Sequence, residues 1–266
     1  SLAEIGKRLG RKALAEVAKR SGMQIVCSTG FYHEHNAIGI PYYWRVRTTE
    51  EIAELYVTEI RQGIGTTGIK PGVIKIASGD PPGEHDRKVL HAAAIAAVET
   101  GLPVVSHCEN SKGGDVQQQI LAEHGVDLAR CLIGHQDQET EVANLRAIAD
   151  RGSFVGIDRV GYTILAPEEL RADNIAALVA NGYGDRLCLS QDHMCCLASP
   201  KFPYPMPEAM AATFDQMKPF VDEQLFGRPH TYLFTDFFPL LRDRGVGDTT
   251  LDAIMIDNPR RLLAGA

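Results

Sequence analysis

The sequence lacks the local signatures of several large functional classes. Its six cysteines include no Cys-x-x-Cys pair, which argues against a structural zinc ribbon. No Gly-x-Gly-x-x-Gly follows a strand-like run and no Walker-type loop occurs, which weakens a nucleotide-binding reading. No apolar run reaches the roughly 18 residues that a membrane span needs. There is no surplus of positive charge: the formal net charge is −7 and the pI about 5.7, so nucleic acid has no electrostatic footprint here. No secretory signal opens the chain, and four cysteines (Cys27, Cys108, Cys131, Cys188) sit in or beside apolar runs as small hydrophobes. Both features fit a reducing, cytoplasmic setting. No repeat, low-complexity tract or linker divides the chain. With 266 residues and 44% hydrophobic content it can build one sizeable core, so residues 1–266 read as a single domain.

What is present is organised around Val73-Ile-Lys-Ile-Ala77, an apolar, β-branched run with a lysine inside it. Such a run reads as a buried strand. An unpaired ammonium there is costly, so Lys75 must be neutral, paired, snorkelling to an edge or chemically changed. Three similar runs end in polar groups that can ligate a metal: His107 in Pro-Val-Val-Ser-His, His135 in Cys-Leu-Ile-Gly-His and Asp192 in Leu-Cys-Leu-Ser-Gln-Asp. Singly, the histidines could be hydrogen-bonded core residues and Asp192 a helix cap. Their shared placement favours one common site.

The rest of the chain alternates. Helices are expected at 4–21 (with Leu14, Val17 and Ala18 on one face), about 50–63, 84–100, 115–124, 139–151 and 167–181. Strands are expected at 24–29, 73–77, 103–108, 130–135, 153–158 and 186–192. Thr48 or Thr49 can cap the second helix, and Gly101 can stop the third. Six strands alternating with helices imply parallel β-structure, as a barrel or a doubly wound sheet. Candidate ligands at successive strand ends favour the barrel, whose active sites lie on that face.

At these residues the sequence resembles the phosphotriesterase family of the amidohydrolase superfamily, and within it the phosphotriesterase-like lactonases. The resemblance runs from about Gly10 to the C-terminus. It is carried by Ser28-Thr-Gly-Phe-Tyr32, Gly72-Val-Ile-Lys-Ile-Ala77, Val105-Ser-His-Cys-Glu109, Ile133-Gly-His-Gln-Asp137, Gly152-Ser-Phe-Val-Gly-Ile-Asp-Arg159, Leu189-Ser-Gln-Asp192 and Asn258-Pro-Arg-Arg, in order and at family spacing. It implies a (β/α)8 TIM barrel with two divalent metals, Zn, Co or Fe, bridged by a carboxylated Lys75. His107 and His135 would hold one metal. Asp192 would hold the other and accept the proton of the attacking water. Tyr32 and Arg159 match pocket positions of the lactonase branch, and the loop from Cys195 to Ala209 would wall an acyl-chain channel. The implied substrates are lactones such as N-acyl-homoserine lactones, with weaker phosphotriester hydrolysis; an organophosphate phosphotriesterase is the alternative. Family members are often homodimers.

One departure matters. The first family strand, first helix and most of the second strand have no counterpart, and with them goes a His-x-His ligand pair. The chain's own His33-Glu34-His35 lies in a different loop, where it reads as a solvated pair or as replacement ligands. Arg159 could equally pair with Asp158 or another carboxylate. His85, His91, His124 and His230 read as surface residues. A reading of another class also stands: an inactive or partner-dependent partial barrel with open edges.

Overall fold

The structure, a computed structural model, describes residues 11–35, 39–193, 223 and 227–265. Within these, six parallel strands form one sheet in sequential order: β1 (Ser28–Gly30), β2 (Val73–Ser78), β3 (Val104–Cys108), β4 (Cys131–Ile133), β5 (Phe154–Ile157) and β6 (Leu187–Leu189). Helices α1 (Arg11–Ser21), α2 (Tyr42–Arg45), α3 (Thr49–Gln62), α4 (Glu84–Thr100), α5 (Gly114–Glu123), α6 (Val142–Asp150) and α7 (Glu168–Ala180) alternate with the strands. Three short helices follow: α8 (Phe238–Asp243), α9 (Asp248–Asp252) and α10 (Asn258–Ala264). The repeated strand–helix–parallel strand order is that of a TIM barrel.

The helices stand where the periodicity and caps put them. Thr48 accepts the Glu51 N–H at 3.2 Å while the Glu51 carboxylate accepts the Thr48 N–H at 2.9 Å, a reciprocal capping box. Gly101 ends α4 in the left-handed conformation, φ 70°. Apolar faces of α3 and α4 (Ile52, Tyr56, Ile60, Val89, Leu90) form one core cluster with Ile74, Ile76 and Val104, α3 lying against β1 and α4 against β2. A second cluster joins β5, β6, α6 and α7 to the C-terminal helices through Leu145, Val155, Ile175, Phe237 and Ile254. A Gly-x-Gly-x-x-Gly string does occur at Gly63–Gly68, but it leaves α3 and leads into β2. That order presents no helix N-terminus to a phosphate.

The N-terminal region departs from expectation. Of the expected strand 24–29 only Ser28 and Thr29 lie in β1, which runs on to Gly30, because β2 begins at Val73 opposite Ser28 and Lys70-Pro71-Gly72 precedes it. Among the described residues no strand pairs with the other side of β1, and Met23, Ile25 and Val26 stay exposed. Of the expected helix 4–21, residues 4–10 lie outside the described residues. On the part described, Val17 is 52% exposed rather than packed. No helix among the described residues is long and apolar enough to cross a membrane.

The strand register sets up the site. Lys75 stands level with Val105, and Ala77 with His107, so Lys75 and His107 share a face one pleat apart. Gly30 lies opposite Lys75, and a Cβ there would come 1.8 Å from the Lys75 carbonyl oxygen. Only glycine permits β1 to approach so closely at φ 122°. Thr48→Ala removes one arm of the capping box and should lower unfolding stability by about 1 kcal/mol, read from the urea midpoint, with the site chemistry unchanged.

Candidate active site at the strand ends

Lys75, His107 and His135 come together, all buried. The Lys75 Nζ donates to the Ser106 carbonyl at 3.0 Å. The His107 and His135 rings meet edge to face, centroids 4.4 Å apart. Burial pushes both imidazoles down to about 3, and the nearby Lys75 charge adds to the shift. Both rings are therefore neutral at ordinary pH, each with one nitrogen that carries a lone pair. His135 Nδ1 lies 2.7 Å from Asp158 Oδ1, which also accepts the His135 backbone N–H at 2.9 Å. Asp158 thus holds the Nδ1–H tautomer and leaves Nε2 as the donor atom. The Asp158 carboxyl is itself raised to about 6 by burial, with Lys75 and Arg159 opposing.

His135 and Asp192 both lie past the ends of their strands, at φ 58° and 47°. The expected strands 130–135 and 186–192 are shorter for that reason. Left-handed backbone at a non-glycine residue costs of order 1 kcal/mol and marks positions that the surroundings over-determine. Asp192 is exposed. Its Oδ2 accepts from Arg159 Nε at 3.3 Å, and its backbone carbonyl accepts the Tyr162 hydroxyl at 2.7 Å. Arg159 Nη1 also stands 4.0 Å from Glu109 Oε1, and Glu109 Oε2 lies 3.1 Å from His107 Nε2. The contact with His107 holds the Glu109 carboxyl down at about 2. Arg159 therefore joins Asp192 to the histidine cluster by way of Glu109.

Tyr32 enters from the other direction along the chain. Its hydroxyl lies 2.8 Å from Nε2 and 3.0 Å from Nδ1 of His107. His33 and His35 diverge. The His33 ring stacks beside His107, centroids 6.1 Å apart, and its Nδ1 is buried with no hydrogen-bond partner. The His35 side chain is 75% exposed and 3.6 Å from Glu34. Cys195–Ala209 lies outside the described residues.

Four supporting residues were not singled out from the sequence. Glu109 is one. Asp86, in the first turn of α4, accepts the Glu34 N–H at 2.7 Å and the Gly79 N–H at 2.9 Å, fixing the loop that carries Tyr32 and His33 to the end of β2. Asp137 accepts backbone N–H groups of Asp158 (3.2 Å) and Arg159 (3.0 Å). Arg171, fully buried on α7, donates to Asp137 at 2.8 Å, to the Ala166 carbonyl at 2.7 Å and to the Tyr162 carbonyl at 2.9 Å. His135, Asp137 and Asp158 approach closely enough to hold an ion. The Asp137 oxygens, however, are already occupied by Arg171 and two amides. The sequence signal for Asp86 is an acid beside a helix start, which many exposed acids share, whereas Asp137 and Asp158 lie in segments that carry the family resemblance.

A (β/α) barrel with neutral imidazoles, a buried lysine and acids at its strand ends defines a hydrolase-type scaffold. The family model for the phosphotriesterase family matches residues 3–263, and the chain belongs to that family. It is 33% identical over 261 residues to an aryldialkylphosphatase from Saccharolobus solfataricus, covering 96% of this chain and 77% of that protein. A mutant of the organophosphorus hydrolase from Deinococcus radiodurans superposes with TM-score 0.81 at 32% identity, covering 94% of this chain and 74% of that one. A protein described as a weak promiscuous lactonase template, engineered for organophosphate hydrolysis, matches with TM-score 0.79 at 32% identity, covering 94% of this chain and 76% of that one.

Removing Arg171 leaves Asp137 buried without its cation. Arg171→Ala should cost about 3–5 kcal/mol, whereas Arg242→Ala, at the exposed Arg242–Asp248 pair, should cost under about 1 kcal/mol. Urea unfolding of the two variants tests the contrast.

Proposed function

We propose that this phosphotriesterase-family hydrolase is a metal-dependent lactonase, acting on N-acyl-homoserine lactones or related lactones and more weakly on phosphotriesters. The observation that carries the reading is the Tyr32 hydroxyl at 2.8 Å from His107, with Arg159 beside Asp192 at 3.3 Å. A phenol and a guanidinium beside the same cluster suit a planar ester with one carbonyl and one ring oxygen.

The donor set fits the two divalent ions typical of the family. His107 and His135 offer neutral imidazole nitrogens, which suit Zn2+, Co2+ or Fe2+. Lys75, carboxylated by CO2, would supply a bridging anionic oxygen and end the cost of a buried ammonium. Asp192 would complete the second position. For a further donor His33 is better supported than His35, because its Nδ1 is buried, unpartnered and next to His107. The ions, when bound, supply Lewis acidity toward water and toward the substrate's carbonyl or phosphoryl oxygen.

The chain's own residues do the rest. Tyr32 orients the ester by hydrogen bonding. Asp192, held by Arg159, takes the proton released as the carbonyl is attacked and passes it to the departing alkoxide oxygen. Asp158 keeps the His135 ring in one tautomer.

The deciding experiment compares kcat/KM on an N-acyl-homoserine lactone and on an aryl dialkyl phosphate triester, using enzyme prepared with zinc or cobalt and bicarbonate. Lactone should be preferred by about tenfold or more. Phosphotriester preference would replace this reading with that of an aryldialkylphosphatase. No turnover of either by metal-loaded enzyme would favour an inactive or partner-dependent partial barrel. Chelation should abolish turnover, and Asp158→Asn should weaken metal binding by about 10–100-fold, measured by elemental analysis after dialysis.

A further inference from the structure

His91 and His124 lie away from the strand ends, on the outer helices. His91 sits in the middle of α4, and His124 is the residue that ends α5. The two helices pack side by side. They follow β2 and β3, the strands that carry Lys75 and His107. The two histidines are not merely solvated, as the sequence suggests. His91 Nδ1 and His124 Nε2 are 2.8 Å apart, with ring centroids at 5.1 Å and planes inclined by 58°. Both side chains remain partly exposed, so the pair is reachable from solvent.

Two neutral imidazoles facing each other can share only one proton. The alternative is a cation between them. Two imidazole nitrogens bound about 2.1 Å from one zinc-like ion at a tetrahedral angle stand about 3.4 Å apart. The pair therefore needs to open by roughly half an ångström, within reach of a residue at a helix end. Burial lowers the His91 imidazole from its ordinary value, with His124 adding to the shift, so the lone pair is available at neutral pH.

The surroundings favour positive charge for an independent reason. The last turn of α5 carries Glu123 and no basic residue. A carboxylate at the negative end of a helix is unfavourable by a few tenths of a kcal/mol. The Glu123 side chain accepts from Gln119 at 2.8 Å and is close enough to His91 to favour its charged form, whereas Arg87, one turn before His91, opposes it. A dication at the imidazole pair would answer both Glu123 and the α5 carbonyls.

We propose that His91 and His124 form a second cation site, on the outer helical ring, for a late first-row dication of the Zn2+, Ni2+ or Cu2+ class, completed by water and drawing on the charge of Glu123. The ion ties α4 to α5. It is independent of the catalytic reading, because neither histidine contacts the strand-end cluster.

The test titrates Ni2+ into enzyme already loaded at the strand ends and dialysed free of excess metal, by calorimetry, for the wild type, His91→Gln and His124→Gln. The wild type should take up one equivalent more than either variant, with affinity weakened about tenfold or more in each. Lactone or phosphotriester turnover and retained strand-end metal should be the same in all three. With Cu2+, the electron paramagnetic resonance spectrum should show coupling to two nitrogens, reduced to one in each variant. Equal Ni2+ uptake by all three proteins, or a copper spectrum insensitive to both substitutions, overturns the proposal and leaves a plain imidazole–imidazole hydrogen bond. A cooperative melt of each variant establishes that lost uptake is not lost fold.

Discussion

Withdrawing ionisable side chains from water at adjacent strand ends is the constraint from which the rest of the site follows. Lys75, His107, His135 and Asp158 are gathered at β2, β3, β4 and β5, where burial penalises the charged forms of His107, His135 and Asp158. The two imidazoles answer by staying neutral. Asp158 stays close to its partners, taking the ring and backbone N–H groups of His135. Gly134 makes this possible, since a Cβ there would fall 2.5 Å from the Ser106 carbonyl oxygen and 2.8 Å from Asp158 Oδ2. A buried polar cluster of this kind survives only if nearly every donor and acceptor is satisfied. The residues around it are mostly occupied in doing so.

Two clamps hold the cluster's loops. Asp86 ties the Tyr32–Glu34 segment to Gly79 at the end of β2. Asp137 and Arg171 tie the turn after β5, so that Asp158 and Arg159 leave the strand in fixed directions. Each clamp uses one carboxylate to accept two backbone N–H groups, from two segments at Asp86 and from the consecutive residues Asp158 and Arg159 at Asp137. Neither touches the histidine rings through its own side chain, yet each sets where a ring's neighbour stands. The left-handed residues Asn110, Ser111, His135 and Asp192 occur at the same ends of the strands. Two of them are tied together, the Ser111 hydroxyl donating to the His135 carbonyl at 2.9 Å.

Most of the architecture was legible because it rests on local rules. The capping box at Thr48, the glycine stop at Gly101 and the alternation of strands and helices are written in neighbouring residues. So are the placement of Lys75 inside an apolar run and of His107 and His135 at the ends of two others, since each is a local pattern. The supporting carboxylates were not legible, because their partners are remote in sequence: Asp86 pairs with Glu34, and Asp137 with Arg171, 34 residues away. Periodicity also overstated the N-terminal strand. Gln24–Val26 has the composition of a strand, but pairing depends on a neighbour, and β2 offers none before Val73.

Of the two readings open for Arg159, the structure shows the carboxylate pair, made with Asp192 and not with the adjacent Asp158. Its Nε lies on Asp192 Oδ2 at 3.3 Å, the same carboxylate that a second metal would use, while its Nη1 is 4.0 Å from Glu109. A guanidinium and a dication repel, and each draws charge from that carboxylate. A cation held by Asp192 would therefore weaken the hold of Asp192 on Arg159 and shift the guanidinium's balance toward Glu109. Glu109 remains charged, since its contact with His107 keeps its carboxyl far below the usual range. Under the proposed function, the ion pair with Asp192 and a role toward substrate would be successive states of one side chain. Glu109 is the group that lets Arg159 leave the first without becoming an unpaired, half-buried charge.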